Sequence, residues 1–275
     1  MLLRKFGVIL AILCLSLITA CSSSSGVAPT SRPDYSAGAI LRVADQSTGD
    51  LGELLRGIRT AEDIVFDNLR NADTVGFKGS ISHNVGISSG IAVQLDLTQG
   101  SMNSTHRDLD VGIQGNGFFR VQVLSTIDDG TAYTRNGNFF INDQGQMVVG
   151  MGDGYKLIPP ITIPVGITGI TISQDGIVTG LKPGAAVSTQ IGQIQLSQFI
   201  NPQGMNSLGA TLFQETQASG PHVDSRPGDG GAGQLLQNYL ESSNVDVVTE
   251  CERLKFLRNW EEDVMRTMDD RVEKS

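Results

Sequence analysis

The sequence predicts an α+β fold: a mainly β module inserted between an N-terminal and a C-terminal helix, which pack on each other or on neighbouring subunits. Three observations carry this reading. Apolar residues recur at three- and four-residue spacing only near the two ends of the folded part, and between those stretches the pattern changes to period two. The chain also holds 33 glycines in 275 residues, well above the usual share of about 7%, and most of them separate short apolar runs, as tight turns between strands require.

Composition narrows the function classes. A hydrophobic content of 39% with 18% charged residues describes a chain that buries a core. The formal net charge of -9 opposes a phosphate backbone, and no basic stretch offsets it, so nucleic acid is not an expected partner. Cysteine is sparse: Cys14, Cys21 and Cys251. With Cys21 modified, no intrachain disulfide remains, and Cys251 reads as a small buried residue on a helix.

Residues 1–20 have a basic start at Arg4-Lys5 and an apolar stretch from Phe6 to Ile18, short for a membrane span and suited to a signal-peptide core. The stretch ends Leu17-Ile18-Thr19-Ala20-Cys21, which resembles the bacterial lipobox, with Cys21 as the lipid-attachment residue. An ordinary secretory leader with an incidental cysteine is the alternative. Several acyl chains, at about 0.8 kcal/mol per buried methylene, would hold the mature chain to a membrane. With Ser22 rather than Asp after the cysteine, the lipobox resemblance implies the periplasmic face of the outer membrane. Residues 21–49 form the lipidated cysteine and a Ser-, Gly-, Pro- and Thr-rich tether, with a root-mean-square span of roughly 25 to 30 Å.

Residues 50–78 form the N-terminal helix and its Asn-rich exit. Asp50 with Glu53 suits a capping box, and Leu51, Leu54, Leu55, Ile58, Ala61, Val65 and Leu69 make one apolar face. Residues 79–217 form the β-rich module. Its first strand reads from Ile91, Val93, Leu95 and Leu97. Further strands are predicted at Leu109 to Ile113, Phe118 to Val123, Phe139 to Ile141, Gln146 to Val149, Ile161 to Val165, Gly169 to Ile172 and Ile191 to Leu196. Glycine- and Asn-rich pairs between them tolerate positive φ. Residues 218–246 read as a loop returning to the core. Residues 247–275 form the C-terminal helix, with Val248, Cys251, Leu254, Leu257, Val264, Met268 and Val272 on one face.

Motifs with a chemical meaning lack the context that chemistry needs. Gly86-Ile87-Ser88-Ser89-Gly90 has the letters of a nucleophile elbow but leads into a strand pattern rather than a helix. His83, His106 and His222 lack zinc-site spacing and read as solvated loop residues. Gly112, Gly115 and Gly117 do not follow the dinucleotide fingerprint. Asp108 and Asp110 read as a solvated pair on one strand face, and Asp128-Asp129 as a turn. No catalytic residue, metal, cofactor or small-molecule substrate is expected.

Five blocks, in order, carry a resemblance. Asn68-Leu69-Arg70-Asn71-Ala72-Asp73-Thr74-Val75-Gly76-Phe77-Lys78 is followed by Leu97-Thr98-Gln99-Gly100 with Leu109-Asp110-Val111-Gly112-Ile113-Gln114-Gly115-Asn116-Gly117-Phe118-Phe119. Tyr133-Thr134-Arg135-Asn136-Gly137-Asn138-Phe139 comes next, then Gly192 to Leu196 with Phe199-Ile200-Asn201-Pro202, and finally Tyr239-Leu240-Glu241-Ser242-Ser243-Asn244-Val245. Together they resemble the flagellar basal-body rod and hook protein family, closest to its distal-rod members. The resemblance implies a non-enzymatic structural subunit of the basal body, at its periplasmic side. It implies self-assembly and contact with other rod, hook or ring subunits. The motif residues then have structural work: Asn and Gly take left-handed conformations at turns, and Phe77, Phe118 and Phe119 anchor those turns.

Two departures qualify that implication. The family lacks a cleavable leader, and the last helix reads Leu257-Arg258-Asn259-Trp260-Glu261-Glu262 where the family carries a different stretch. Two structural roles therefore stand: an axial rod subunit, or a lipid-anchored relative acting as a collar or adaptor around the rod.

Overall fold

The computed structural model describes residues 51–84, 91–123, 130–150, 152–209 and 211–273. The leader, Cys21, the tether, Asp50, Gly86 to Gly90 and Asp128-Asp129 lie outside the described residues. A helix, α1 (Leu51–Arg70), opens the fold and a second, α2 (Val247–Glu273), closes it. Between them the described strands are β1 (Ser80–Asn84), β2 (Ile91–Leu95), β3 (Met102–Ser104), β4 (Val111–Gln114), β5 (Phe119–Gln122) and β6 (Thr131–Thr134). They continue with β7 (Phe139–Ile141), β8 (Met147–Val149), β9 (Tyr155–Ile158), β10 (Thr168–Ile172), β11 (Ile177–Leu181) and β12 (Thr189–Gln193). The last are β13 (Leu196–Gln198), β14 (Asn206–Gly209), β15 (Leu212–Gln214), β16 (Val223–Ser225), β17 (Gln234–Gln237) and β18 (Tyr239–Glu241).

The two helices pack antiparallel. Asn68, at the end of α1, reaches Glu250, at the start of α2, and Arg59 meets Glu261 at 2.8 Å. Leu54, Ile58, Ala61 and Val65 bury against Leu254, Leu257, Trp260 and Val264, so each apolar stripe is spent on the other helix. Trp260 joins this core although the spacing reading passes over it, whereas Val248 points into solvent.

The β module is built on a seven-stranded antiparallel sheet in the order β14-β15-β6-β5-β9-β8-β7. A three-stranded sheet, β10-β11-β12, completes the largest core, which holds Val111, Phe119, Val121, Phe139, Leu157, Ile194 and Leu235. A second, aromatic core gathers Leu95, Phe118, Tyr133, Met205 and Phe213.

Three sequence expectations change. Ile161 to Val165 is not a strand: Pro160 and Pro164 supply no N–H, and the segment makes an isolated bridge at Thr162 in place of a ladder, while Ile161 and Ile163 still bury. Val93 does not share a buried face with Leu95, because among the described residues β2 pairs with β1 alone, in a two-stranded sheet. The stretch 218–246 carries three short strands, β16 on β13, β17 on β4 and β18 on β3. Their partners lie far away in sequence, where local alternation has no reach.

Truncating Ile58 to Ala should lower the unfolding free energy by about 2 to 5 kcal/mol in urea titrations, and Val248→Ala should leave it within about 0.5 kcal/mol.

Candidate functional site

β18 ends with a glutamate whose side chain is 0% exposed. Glu241 reaches that position because β18 pairs with β3, which brings it beside the 97–100 turn and the exit of α1. Its Oε1 accepts Lys78 Nζ at 2.6 Å and the Gly100 N–H at 3.0 Å, and its Oε2 accepts Arg135 Nε at 2.8 Å. The Lys78 and Arg135 side chains are 1% and 4% exposed. Both cations have further partners: Lys78 donates to the Thr98 carbonyl at 2.6 Å, and Arg135 to the Gly117 and Ile113 carbonyls at 2.5 and 3.3 Å. Burial pulls the Lys78 ammonium below its ordinary pKa, and the Glu241 carboxylate opposes that shift.

The predicted motif residues surround this tie. Gln99 bridges to the strand β4 and the turn after it, donating to the Ile113 carbonyl at 2.7 Å and accepting the Gly115 N–H at 3.0 Å. Gly76 donates its N–H to the Glu241 backbone carbonyl at 2.8 Å. Gly100 and Gly137 are required by close approach: a Cβ would lie 2.0 Å from the Ser242 carbonyl oxygen at the first and 1.7 Å from that of Val111 at the second. Phe118 stacks edge-on with Phe199 and Phe213 and lies under the Arg135 guanidinium at 5.9 Å, and Phe119 meets Phe139 at 5.0 Å. Asn244 accepts the Gly79 N–H at 2.8 Å, and Val245 lies half-buried beside it. Beside the tie opens a cleft of about 490 Å³ whose walls include Leu97, Phe199 and Pro202.

Some motif residues act otherwise than expected. Asn68 and Asn71 do not take left-handed backbone; they use side-chain amides, Asn71 donating to the Asp67 carbonyl at 2.8 Å and accepting the Thr74 hydroxyl at 3.2 Å. Gly76, Gly115 and Gly117 do hold positive φ. Phe77 is only half-buried, and Tyr239 is exposed on β18, so neither belongs to the tie.

A second polar chain was not legible in the sequence. Arg120 donates to His222 Nε2 at 2.8 Å and pairs with Asp224 at 2.7 Å, and His222 Nδ1 lies 2.8 Å from Glu215. Arginine has no acceptor, so Nε2 accepts and Nδ1 carries the proton. His222 is thus wedged between two charged side chains rather than solvated. Asp110 likewise is buried, held by Arg107 at 3.3 Å and Asn138 at 3.1 Å, instead of forming a solvated pair with Asp108. Burial alone would raise the Glu215 carboxyl, but hydrogen bonds from the His222 ring, the His222 N–H and the Tyr133 hydroxyl outweigh it and lower its pKa. Burial, reinforced by the nearby Glu215 carboxylate, raises the Tyr133 hydroxyl. No local motif marks these residues, since Arg120 and His222 are 102 positions apart.

The arrangement offers hydrogen-bonded charge and packed rings rather than an activated nucleophile. Among the described residues no group of three or more His, Cys, Asp or Glu side chains could hold a metal ion. Fold and tie together define a structural module whose distant segments are knotted at one carboxylate. A family model described as the flagellar hook protein FlgE/F/G D1 domain matches residues 112–180. The flagellar basal-body rod protein FlgG of Caulobacter vibrioides is 39% identical over 220 residues, spanning 70% of this chain and 82% of that protein. FlgG of Buchnera aphidicola subsp. Acyrthosiphon pisum is 37% identical over 193 residues, 69% and 72% of the two chains. FlgF of Caulobacter vibrioides is 31% identical over 244 residues, 79% and 90%. The chain belongs to the flagellar basal-body rod protein family.

Replacing Glu241 by Gln strands two buried cations and should lower stability by about 3 to 5 kcal/mol in chemical denaturation at neutral pH. Glu215 has a depressed folded pKa, so its contribution is present above the ordinary value of 4.5 and is lost as pH falls through the folded value. Stability measured against pH should therefore lose this acid-side component in Glu215→Gln.

Proposed function

We propose that the chain is a non-enzymatic structural subunit of the bacterial flagellar basal body, of the distal-rod type, that contributes to the axial rod by self-assembly alongside other rod, hook or ring subunits. The observation that carries this reading is the meeting of motif segments from residues 68–78, 97–100, 109–119, 133–139 and 239–245 around Glu241, in a chain that aligns with FlgG over most of its folded length. It needs no cofactor. Heterologous contacts between copies would extend such a unit along an axis.

A second reading is favoured by two features of this chain. Leu17 to Cys21 resembles a lipobox, and α2 turns Glu252, Lys255, Arg258, Glu262, Arg266 and Asp269 outward into solvent. In this reading the mature chain is tethered through acylated Cys21 to the outer membrane on its periplasmic side and forms a collar or adaptor around the rod.

Quantitative mass spectrometry of purified hook–basal bodies tests both readings. The rod reading expects multiple copies that stay with the rod after detergent removes membrane; the collar reading expects an N-terminal peptide beginning at acylated Cys21 and loss of the chain on the same wash. Confinement to rod-free membranes would overturn both. Cys21→Ser should abolish acylation and release the chain from outer-membrane fractions.

A further inference from the structure

Among the described residues, the helix pair and the β module share no apolar core. The cluster that joins α1 to α2 contains residues of those helices alone, and the two β-module clusters contain none of them. Among the described residues, a set of side-chain hydrogen bonds at the base of the β1–β2 hairpin joins the two units.

Asn68, 2% exposed on the last turn of α1, treats Ser80 as a strand partner would: its Oδ1 accepts the Ser80 N–H and its Nδ2 donates to the Ser80 carbonyl, both at 2.9 Å. The same Nδ2 lies 3.2 Å from Glu250 Oε1 on α2. Asn244, just before α2, repeats the device one residue away. Its Oδ1 accepts the Gly79 N–H at 2.8 Å, and its Nδ2 donates to the Asp96 and Thr98 carbonyls at 2.8 and 3.2 Å. Arg253 of α2 donates to the Ser82 carbonyl at 3.0 Å and to its hydroxyl. A backbone bond from Asp96 N–H to the Gly79 carbonyl closes the hairpin base at 2.7 Å. Asp96 and Thr98 lead into the turn whose Thr98 carbonyl also holds Lys78, so the joint runs directly into the Glu241 tie.

We infer that Asn68 and Asn244 are positioning residues that weld the helix pair to the β module, so that the subunit unfolds and moves as one stiff body rather than as two units on a hinge. Each asparagine offers a donor and an acceptor side by side, and each uses both against backbone groups at the joint. Aspartate has the same shape but no donor. At position 68 it would face the Glu250 carboxylate, and at position 244 it would face two carbonyl oxygens. The inference rests on the joint alone and holds whether the chain is rod or collar.

Trp260 is the only tryptophan and lies in the helix-pair core, so its fluorescence reports that unit in the full chain. Hydrogen exchange of peptides from β4 and β5, measured across the same urea series, reports the β module. The wild-type chain should give one coincident transition by both probes. In the double variant Asn68→Asp, Asn244→Asp, the Trp260 midpoint should move to lower urea and separate from that of β4 and β5. Asn71→Ala, whose bonds stay within its own segment, should keep a single transition. Separate transitions already in the wild type, or a single coincident one in either the double variant or Asn244→Ala, would overturn the weld.

Discussion

A carboxylate withdrawn completely from water is the constraint around which this fold is arranged. Burying Glu241 with Lys78 and Arg135 sacrifices the hydration of three charges, and the mutual attraction repays that only if the remaining lone pairs and N–H groups also find partners. Here they come from the Gly100 N–H and from the carbonyls of Thr98, Gly117 and Ile113. A chain that places Glu241 correctly therefore has little choice about where the α1 exit, the 97–100 turn, the 115–117 turn and the 135–137 hairpin end up. The depressed Lys78 pKa is the residue of the desolvation that the pairing does not fully offset.

Around that point the labour divides. The large sheet and its core give the module volume, the aromatic cluster of Phe118, Tyr133 and Phe213 backs the tie, and the helix pair closes its own apolar stripes with Trp260 at the centre. Because the helices and the sheets have separate cores, polar side chains set the geometry between them. A structural subunit gains from this: hydrogen bonds fix angle and register, whereas apolar contact alone tolerates sliding.

Legibility in the sequence followed the range of the interactions. Leu54, Ile58 and Val65 announce α1 because a helix repeats its environment every turn, and β7 reads correctly because Phe139 to Ile141 lies between two turn signals. Val223–Ser225 and Tyr239–Glu241 do not read as strands, since three residues hold no period and their partners sit in β13 and β3. Ile161 to Val165 misleads in the opposite sense, apolar enough for a strand but broken by proline. Most of the tie's residues were marked by resemblance; their chemistry was not. A glutamate is ordinarily exposed, and nothing local to Glu241 says otherwise. The Arg120, His222 and Glu215 chain left no trace, because each link joins residues from different elements.

The coupling energy between Lys78 and Glu241 tests the account most directly. A double-mutant cycle with Lys78→Met and Glu241→Leu, read by urea denaturation at neutral pH, should give a coupling of about 1.5 to 3 kcal/mol, the double variant recovering part of what each single variant loses. Strictly additive losses, within about 0.5 kcal/mol, would mean that the two side chains stabilise the fold independently and that Glu241 is not the point on which the five segments depend.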